Sequence, residues 1–179
     1  MEVFPYPVQY FSCKDFDKTP EDLQKMLEYL ARVGAGAAGP VAGETGLPGL
    51  KLDFNDGVRL EVPPGPWHVR IGDHASGLIF YDQDVAATVV ISMEKYYIPW
   101  EIEVSYEGQP VFAHVFDLRG QKVRLIVSSD LLGDMQSFLP YIPYVRDYYG
   151  AEVYYWLSPV MHQVCRRLYP EIPLQEKRD

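Results

Sequence analysis

Cysteine is nearly absent: the 179 residues hold 2, Cys13 and Cys165, far apart and outside any Cys-x-x-Cys pair. That spacing argues against a disulfide framework and against a zinc site, and no metal ligands are assigned. Basic residues are also few, with 16 Lys and Arg against 25 Asp and Glu and a formal net charge of -9. A chain of that sign repels phosphate backbones, and no segment concentrates lysine and arginine, so nucleic acid is not expected as a partner. No apolar run approaches the roughly 18 residues of a membrane-spanning helix. The start, Met1-Glu2-Val3-Phe4-Pro5, lacks the basic and apolar regions of a secretory signal, which makes the cytoplasm the default compartment. Neither a spaced Ser, His and acid set nor a complete glycine-rich phosphate motif occurs.

What is present is apolar and aromatic: 47% hydrophobic and 14% aromatic residues, enough for one sizeable core or two small ones. Thr19-Pro20-Glu21-Asp22 reads as a helix start, with Thr19 capping and Pro20 at the first helical position. Leu23, Met26, Leu27 and Leu30 then recur at helical spacing, and the helix is expected to end at Gly34. The Gly/Ala/Pro-rich run from Gly34 to Gly49 has no periodicity and predicts a flexible linker, so residues 1–50 form a first region.

From Lys51 onward the period becomes two, with turn signals about every 8 to 12 residues, and residues 51–118 are read as a small antiparallel β sandwich or barrel. Strands are expected at Lys51 to Phe54, Val58 to Val62, Trp67 to Ile71, Leu78 to Tyr81, Val89 to Ser92, Trp100 to Tyr106 and Val111 to Phe116. Asn55-Asp56-Gly57 signals a hairpin, because these residues tolerate the positive φ of tight turns. Residues 119–179 follow the order strand, helix, strand, helix: Val123 to Val127, a helix towards Tyr149 disturbed by Pro140 and Pro143, Val153 to Leu157, and Pro159 to Tyr169. The whole is α+β, a β domain followed by the beginning of a Rossmann-like α/β domain. The 45 residues after Asp134 are too few for a complete nucleotide-binding sheet, so the chain reads as the front part of a larger enzyme.

Leu132-Gly133-Asp134 opens the first of these helices after an apolar strand, where α/β domains set reactive groups. Two readings stand: Asp134 caps the helix and complements its dipole, or it faces a cleft as the general base for an acceptor hydroxyl. Ser128, Ser129 and the amides around Leu132 and Gly133 would line that donor or acceptor cleft. His68 and Arg70 alternate with core residues and should project from the sheet near Glu61 or Asp73, either as a solvated face or as a polar surface contacting a protein acceptor or the rest of the catalytic part. His74, His114 and His162 are scattered and get no ligand role. Tyr96, Tyr97, Trp100 and Tyr106 read as core, with sugar stacking as the alternative.

In order, Asp53-Phe54-Asn55-Asp56-Gly57-Val58-Arg59, Gly65-Pro66-Trp67-His68-Val69-Arg70-Ile71, Lys95-Tyr96-Tyr97, Ile102-Glu103-Val104 and Val111-Phe112-Ala113-His114 resemble the N-terminal β domain of bacterial autotransporter heptosyltransferases. Gly133-Asp134 with Phe138, Pro140 and Tyr141, then Tyr169-Pro170-Glu171-Ile172, continue the resemblance, which runs from about Lys51 to Ile172. It implies a GT-B glycosyltransferase that moves heptose from ADP-heptose to serine hydroxyls of an autotransporter adhesin, with Asp134 as catalytic base. It also implies that the nucleotide-binding residues and an iron-holding cysteine cluster lie in a C-terminal part outside this sequence. The passenger domain and a nucleotide sugar are then the partners, with a homo-oligomer left open and no cofactor in this chain. Met135 and Phe138 depart from the threonine and tryptophan usual in the family, which puts its acceptor or donor in doubt. Turnover by this chain alone is not expected. The competing function is a non-catalytic module that binds protein or carbohydrate through the face around His68 and Arg70.

Overall fold

The computed structural model describes residues 4–13, 25, 28, 39–55, 57–127, 129 and 131–175. It divides into two compact units, Met1–Phe116 and Asp117–Asp179. The predicted helix between Thr19 and Gly34 lies outside the described residues except for Lys25 and Glu28, both helical and exposed.

The first unit is two four-stranded sheets. One has the order β1 (Val8–Phe11), β6 (Thr88–Ser92), β3 (Arg59–Val62), β2 (Lys51–Asp53); the other runs β5 (Ile79–Val85), β4 (Trp67–Asp73), β7 (Trp100–Tyr106), β8 (Gln109–Val115). Alternation decides which side chains go inward. On β7, Trp100, Ile102 and Val104 are buried, with Glu101 and Glu103 on the other face. These residues share one core with Val69 and Ile71 of β4 and Leu52, Leu60 and Val90 of the first sheet. The described pairings in this unit are antiparallel except β1 with β6, which is parallel in the register Val8 to Val89.

The parallel strand and the segment before β2 correct the expectation of a free linker. Val41 packs with Val89 and Ile91 on the outer side of the first sheet, beside Phe4, Tyr6, Val8 and Tyr10. Leu50 is buried in the main core, and the Leu52 amide donates to Gly43 O at 2.8 Å. A β-sheet with two apolar faces needs two covers, and the glycine-rich segment supplies part of the second. Its lack of periodicity hid this, because it packs as irregular chain.

Between β2 and β3 the turn relies on Gly57, at φ +72. A Cβ there would lie 2.2 Å from Ser92 Oγ and 2.8 Å from Glu94 O. Ser92 Oγ accepts the Val58 amide at 3.0 Å and donates to Glu94 O at 2.8 Å, so it is not free to move aside. Gly57→Ala should therefore destabilise the unit by about 2 kcal/mol or more, read as a lower urea midpoint. Glu107 and Gly108, at φ 50 and 76, form the two-residue turn between β7 and β8 that the right-handed strand twist favours.

The second unit is β9 (Lys122–Ile126), α1 (Leu132–Phe138), α2 (Tyr141–Tyr149), β10 (Glu152–Trp156), a 3-10 turn at Pro159–Met161 and α3 (His162–Leu168). The disturbance expected at Pro140 and Pro143 is a restart that makes two helices, because Pro140 takes the N-cap of α2 and Pro143 lies in its first turn, where missing donors cost nothing. Gly150 ends α2 in the left-handed conformation at φ 65. β9 and β10 are parallel, and Met135, Leu139, Ile142, Tyr155, Leu157 and Cys165 fill the core against them. After α3 the chain returns alongside β10: the Tyr155 amide donates to Pro173 O at 3.1 Å, and Gln175 donates to Tyr155 O at 2.8 Å. That is the start of a third parallel strand in this sheet, the pattern of an opening Rossmann-like sheet. Among the described residues no helix is long and apolar enough to cross a membrane.

Candidate active site

Asp134 sits at the third residue of α1, in its first turn. The cap position belongs to Leu131, whose side chain bonds nothing there, so Asp134 is not the cap itself. Its Oδ2 accepts a hydrogen bond from Ser129 Oγ at 2.7 Å, and the same Oγ accepts the Leu131 amide at 3.1 Å. Ser129 thus joins the strand-to-helix loop to the carboxylate. Oδ1 takes no hydrogen bond among the described residues, and Asp134 is exposed. The result is a carboxylate fixed by one oxygen and open at the other, beside the positive end of the helix. That arrangement suits proton abstraction by the open oxygen.

Gly133 lies inside the helix with no positive φ, so the turn does not hinge at the glycine. A Cβ at Gly133 would meet nothing within 4 Å. The space beside it is open to an approaching group. Ser128 lies outside the described residues. Leu132 is exposed and borders an apolar groove between α1 and α3, lined by Gln136, Leu139, Met161, Val164 and Leu168.

His68 and Arg70 belong to the first unit, on the outer face of its second sheet. Their partners are not Glu61, which is buried in the other sheet, nor Asp73, which bonds the Ala75 amide and Ser76 Oγ in its own turn. His68 Nδ1 lies 2.8 Å from Asp84 Oδ1 and Nε2 lies 2.7 Å from Asp82 Oδ1. Arg70 donates to Glu103 Oε2 at 2.6 Å. Register explains the set, since Asp84 and Asp82 stand opposite His68 and Arg70 on β5, and Glu103 opposite Arg70 on β7. The aspartates escaped the sequence reading because β5 was expected to end at Tyr81; the alternation through Asp82-Gln83-Asp84 was the available signal.

The hydrogen bond to Asp84 raises the His68 pKa above 6.5, with Asp82 adding to it. A raised pKa means that protonated His68 steadies the sheet fully below about pH 6.5 and that this contribution fades as pH climbs through the raised midpoint. The effect on stability is small at an exposed site. In an NMR pH titration the His68 midpoint should lie above that of a free imidazole and fall towards it in Asp84→Asn; an unchanged midpoint would contradict the geometry.

Of the aromatic run, Trp100 is fully buried and donates through Nε1 to Tyr96 O at 2.9 Å, whereas Tyr96 and Tyr97 are exposed. Tyr106 packs edge-on against Trp67, with centroids 4.7 Å apart. Among the described residues no group of three or more His, Cys, Asp or Glu is placed to hold a metal ion. Cys165 is buried, its thiol pKa raised by that burial, and it forms no disulfide.

Residues 46–108 match the family described as glycosyltransferase TibC, N-terminal domain. The chain is 30% identical over 128 residues to the inactive autotransporter heptosyltransferase BimC of Burkholderia thailandensis, covering 72% of this chain and 30% of that protein. It is 29% identical to the autotransporter heptosyltransferase Aah of Escherichia coli, covering 73% and 34%. Two crystal structures of the dodecameric, iron-containing TibC of E. coli, one with ADP-D-beta-D-heptose, superpose with TM-scores of 0.66 and 0.62 at 26% identity, covering 75% of this chain and 36% of theirs. The chain thus spans about a third of the length of the relatives it matches. In sequence order, in α+β architecture and in the β domain that leads into an opening GT-B-like unit, this chain resembles the bacterial autotransporter heptosyltransferases.

Proposed function

We propose that this chain forms the acceptor-side part of a heptosyltransferase that moves heptose from ADP-heptose to serine hydroxyls of an autotransporter adhesin in the cytoplasm. The observation that carries the reading is Asp134, exposed, held by Ser129 at 2.7 Å through one oxygen and open at the other. In this reading Asp134 takes the proton of the acceptor hydroxyl as the oxygen attacks the anomeric carbon of the sugar, and ADP leaves from the opposite side. Charge on the departing diphosphate needs cationic or amide groups. The described residues of the second unit do not form a complete site for it, so the chain alone is expected to be inactive. The iron in TibC belongs to that protein, and the described residues here do not fit one. The dodecameric assembly of TibC supports self-association of this chain as well.

The test is a chimera in which this chain replaces the matching segment of Aah, co-expressed with an autotransporter passenger whose mass is measured. Heptose-sized additions support the reading. An unmodified passenger beside a folded, ADP-heptose-binding chimera speaks against it.

A second reading has its own support, because BimC is an inactive autotransporter heptosyltransferase. Under it the chain is a non-catalytic module that holds a protein or carbohydrate through the face of His68, Arg70 and Glu103. The isolated chain would then bind the passenger without ADP-heptose, and Arg70→Ala would weaken that binding.

A further inference from the structure

Four exposed aromatic side chains of the second unit fall in one row, and the row begins at Asp134. Asp134, Phe138, Tyr141, Tyr144 and Tyr148 follow one another by steps of four, three, three and four residues, the spacing that makes side chains neighbours along one helix face. Leu139 and Pro140, at the junction of α1 and α2, both keep right-handed helical φ and ψ, so the row crosses it without a gap. It is not a core face: Met135, Leu139 and Ile142 fill the core, whereas Phe138 is 51% exposed, Tyr141 58%, Tyr144 49% and Tyr148 67%. Neighbouring ring centroids lie 6.3, 6.3 and 5.1 Å apart. A contiguous exposed row of this size marks a contact surface.

We infer that this row is the track on which the acceptor polypeptide lies, extended and uncharged, with its serine hydroxyl at Asp134. Charge excludes the nucleotide sugar as occupant. The single cation of the two helices, Arg146, is held by Asp147 and Glu171, so the row offers a diphosphate no partner and repels it at Asp134. Ring orientation disfavours a glycan, which stacks on open ring faces. Tyr144 and Tyr148 turn their faces towards each other at 12°, and Tyr149 stands edge-on to Tyr148 at 4.8 Å, which leaves edges and hydroxyls outward. The hydroxyls of Tyr141, Tyr144 and Tyr148 take no hydrogen bond among the described residues, and each can both donate and accept, as the alternating amides and carbonyls of an extended chain require. Spacing fits as well. Side chains on one side of an extended chain recur every 6.6–6.8 Å or about that, close to the first two ring steps. With serine at Asp134, every second residue of the acceptor then meets a ring.

The inference rests on the reading of Asp134 as the place where the acceptor reacts, but the track can be measured without transfer. Fluorescence anisotropy of a labelled, uncharged peptide alternating serine and threonine, titrated with the purified chain, should show saturable binding. Tyr141→Ser combined with Tyr144→Ser should weaken it about tenfold or more, Tyr144→Phe by less, and Val160→Ser, beside α3, not at all. Should the double variant misfold, Tyr148→Ser replaces it. In the Aah chimera the double variant should raise KM for the passenger about tenfold, with kcat and KM for ADP-heptose near parental. A wild type that leaves the peptide unbound, equal losses in Val160→Ser, or a parental passenger KM in the double variant would overturn the track and leave the base assignment standing. A chimera without transfer beside tyrosine-dependent peptide binding would overturn the Asp134 reading alone. Binding of cellohexaose in place of the peptide, or a changed light-scattering mass in the double variant, would give the row to a glycan or to a second copy and overturn the inference.

Discussion

Asp134→Asn in the Aah chimera is expected to lower the rate of heptose transfer by about 100-fold to 10,000-fold, with the Michaelis constant for ADP-heptose little changed. Asparagine keeps the volume of aspartate and leaves Ser129 Oγ an oxygen to donate to, so the loop after β9 should hold its shape. What it removes is the oxygen that takes the proton. Ser129→Ala should cost less, because it frees the carboxylate to rotate without abolishing its basicity. The contrast in kcat between the two variants separates a proton acceptor from a loop-organising residue. If Asp134→Asn transfers at the parental rate, the base assignment is wrong and the carboxylate serves only the helix.

Arg59→Met should destabilise the first unit by about 3–5 kcal/mol, read as a shift in the urea midpoint. Arg59 is completely buried behind the first sheet. Its Nε and one terminal nitrogen donate to the two oxygens of Asp53 at 2.7 and 2.6 Å, and its remaining donors reach Gly39 O and Pro40 O. Asp53 in turn accepts the Ala42 amide at 2.9 Å, so the pair fastens the irregular segment over β2 and β3. Removing the cation leaves a buried carboxylate and orphaned carbonyls. In the cycle with Asp53→Leu, the double variant should be less destabilised than the sum of the single ones, since most of the cost is the unpaired charge. Additivity would mean that the two residues do not act together.

Much of this fold was legible because strand alternation is a local code: Trp100 to Tyr106 matches β7, and the other strands fall within a few residues of their expected bounds. The Pro and Gly signals placed the break between α1 and α2 and the stop at Gly150 for the same reason. The rest depended on distant partners. β1 is four residues whose pairing lies in β6, and nothing local to Val8–Phe11 names it. Burial of Arg59 depends on the segment at 39–42 that covers it, a partner that β3 itself does not name. At the candidate site, the position of Asp134 in an opening helix could be read, but the Ser129 contact needs the loop to fold back, which spacing does not encode.

The parallel pairing of β1 with β6 also sets a timetable for synthesis. Val8 leaves the ribosome early, yet its partner Val89 is made 81 residues later. At roughly 5–20 residues per second, that is a wait of about 4–16 seconds. During it Phe11, destined for the core beside Trp100, has nowhere to go. The hairpin of β2 and β3 forms meanwhile, and the first sheet closes only after β6 emerges. Nascent chains stalled before Ser92 should therefore expose Phe11 to chaperones, and those stalled well beyond it should not.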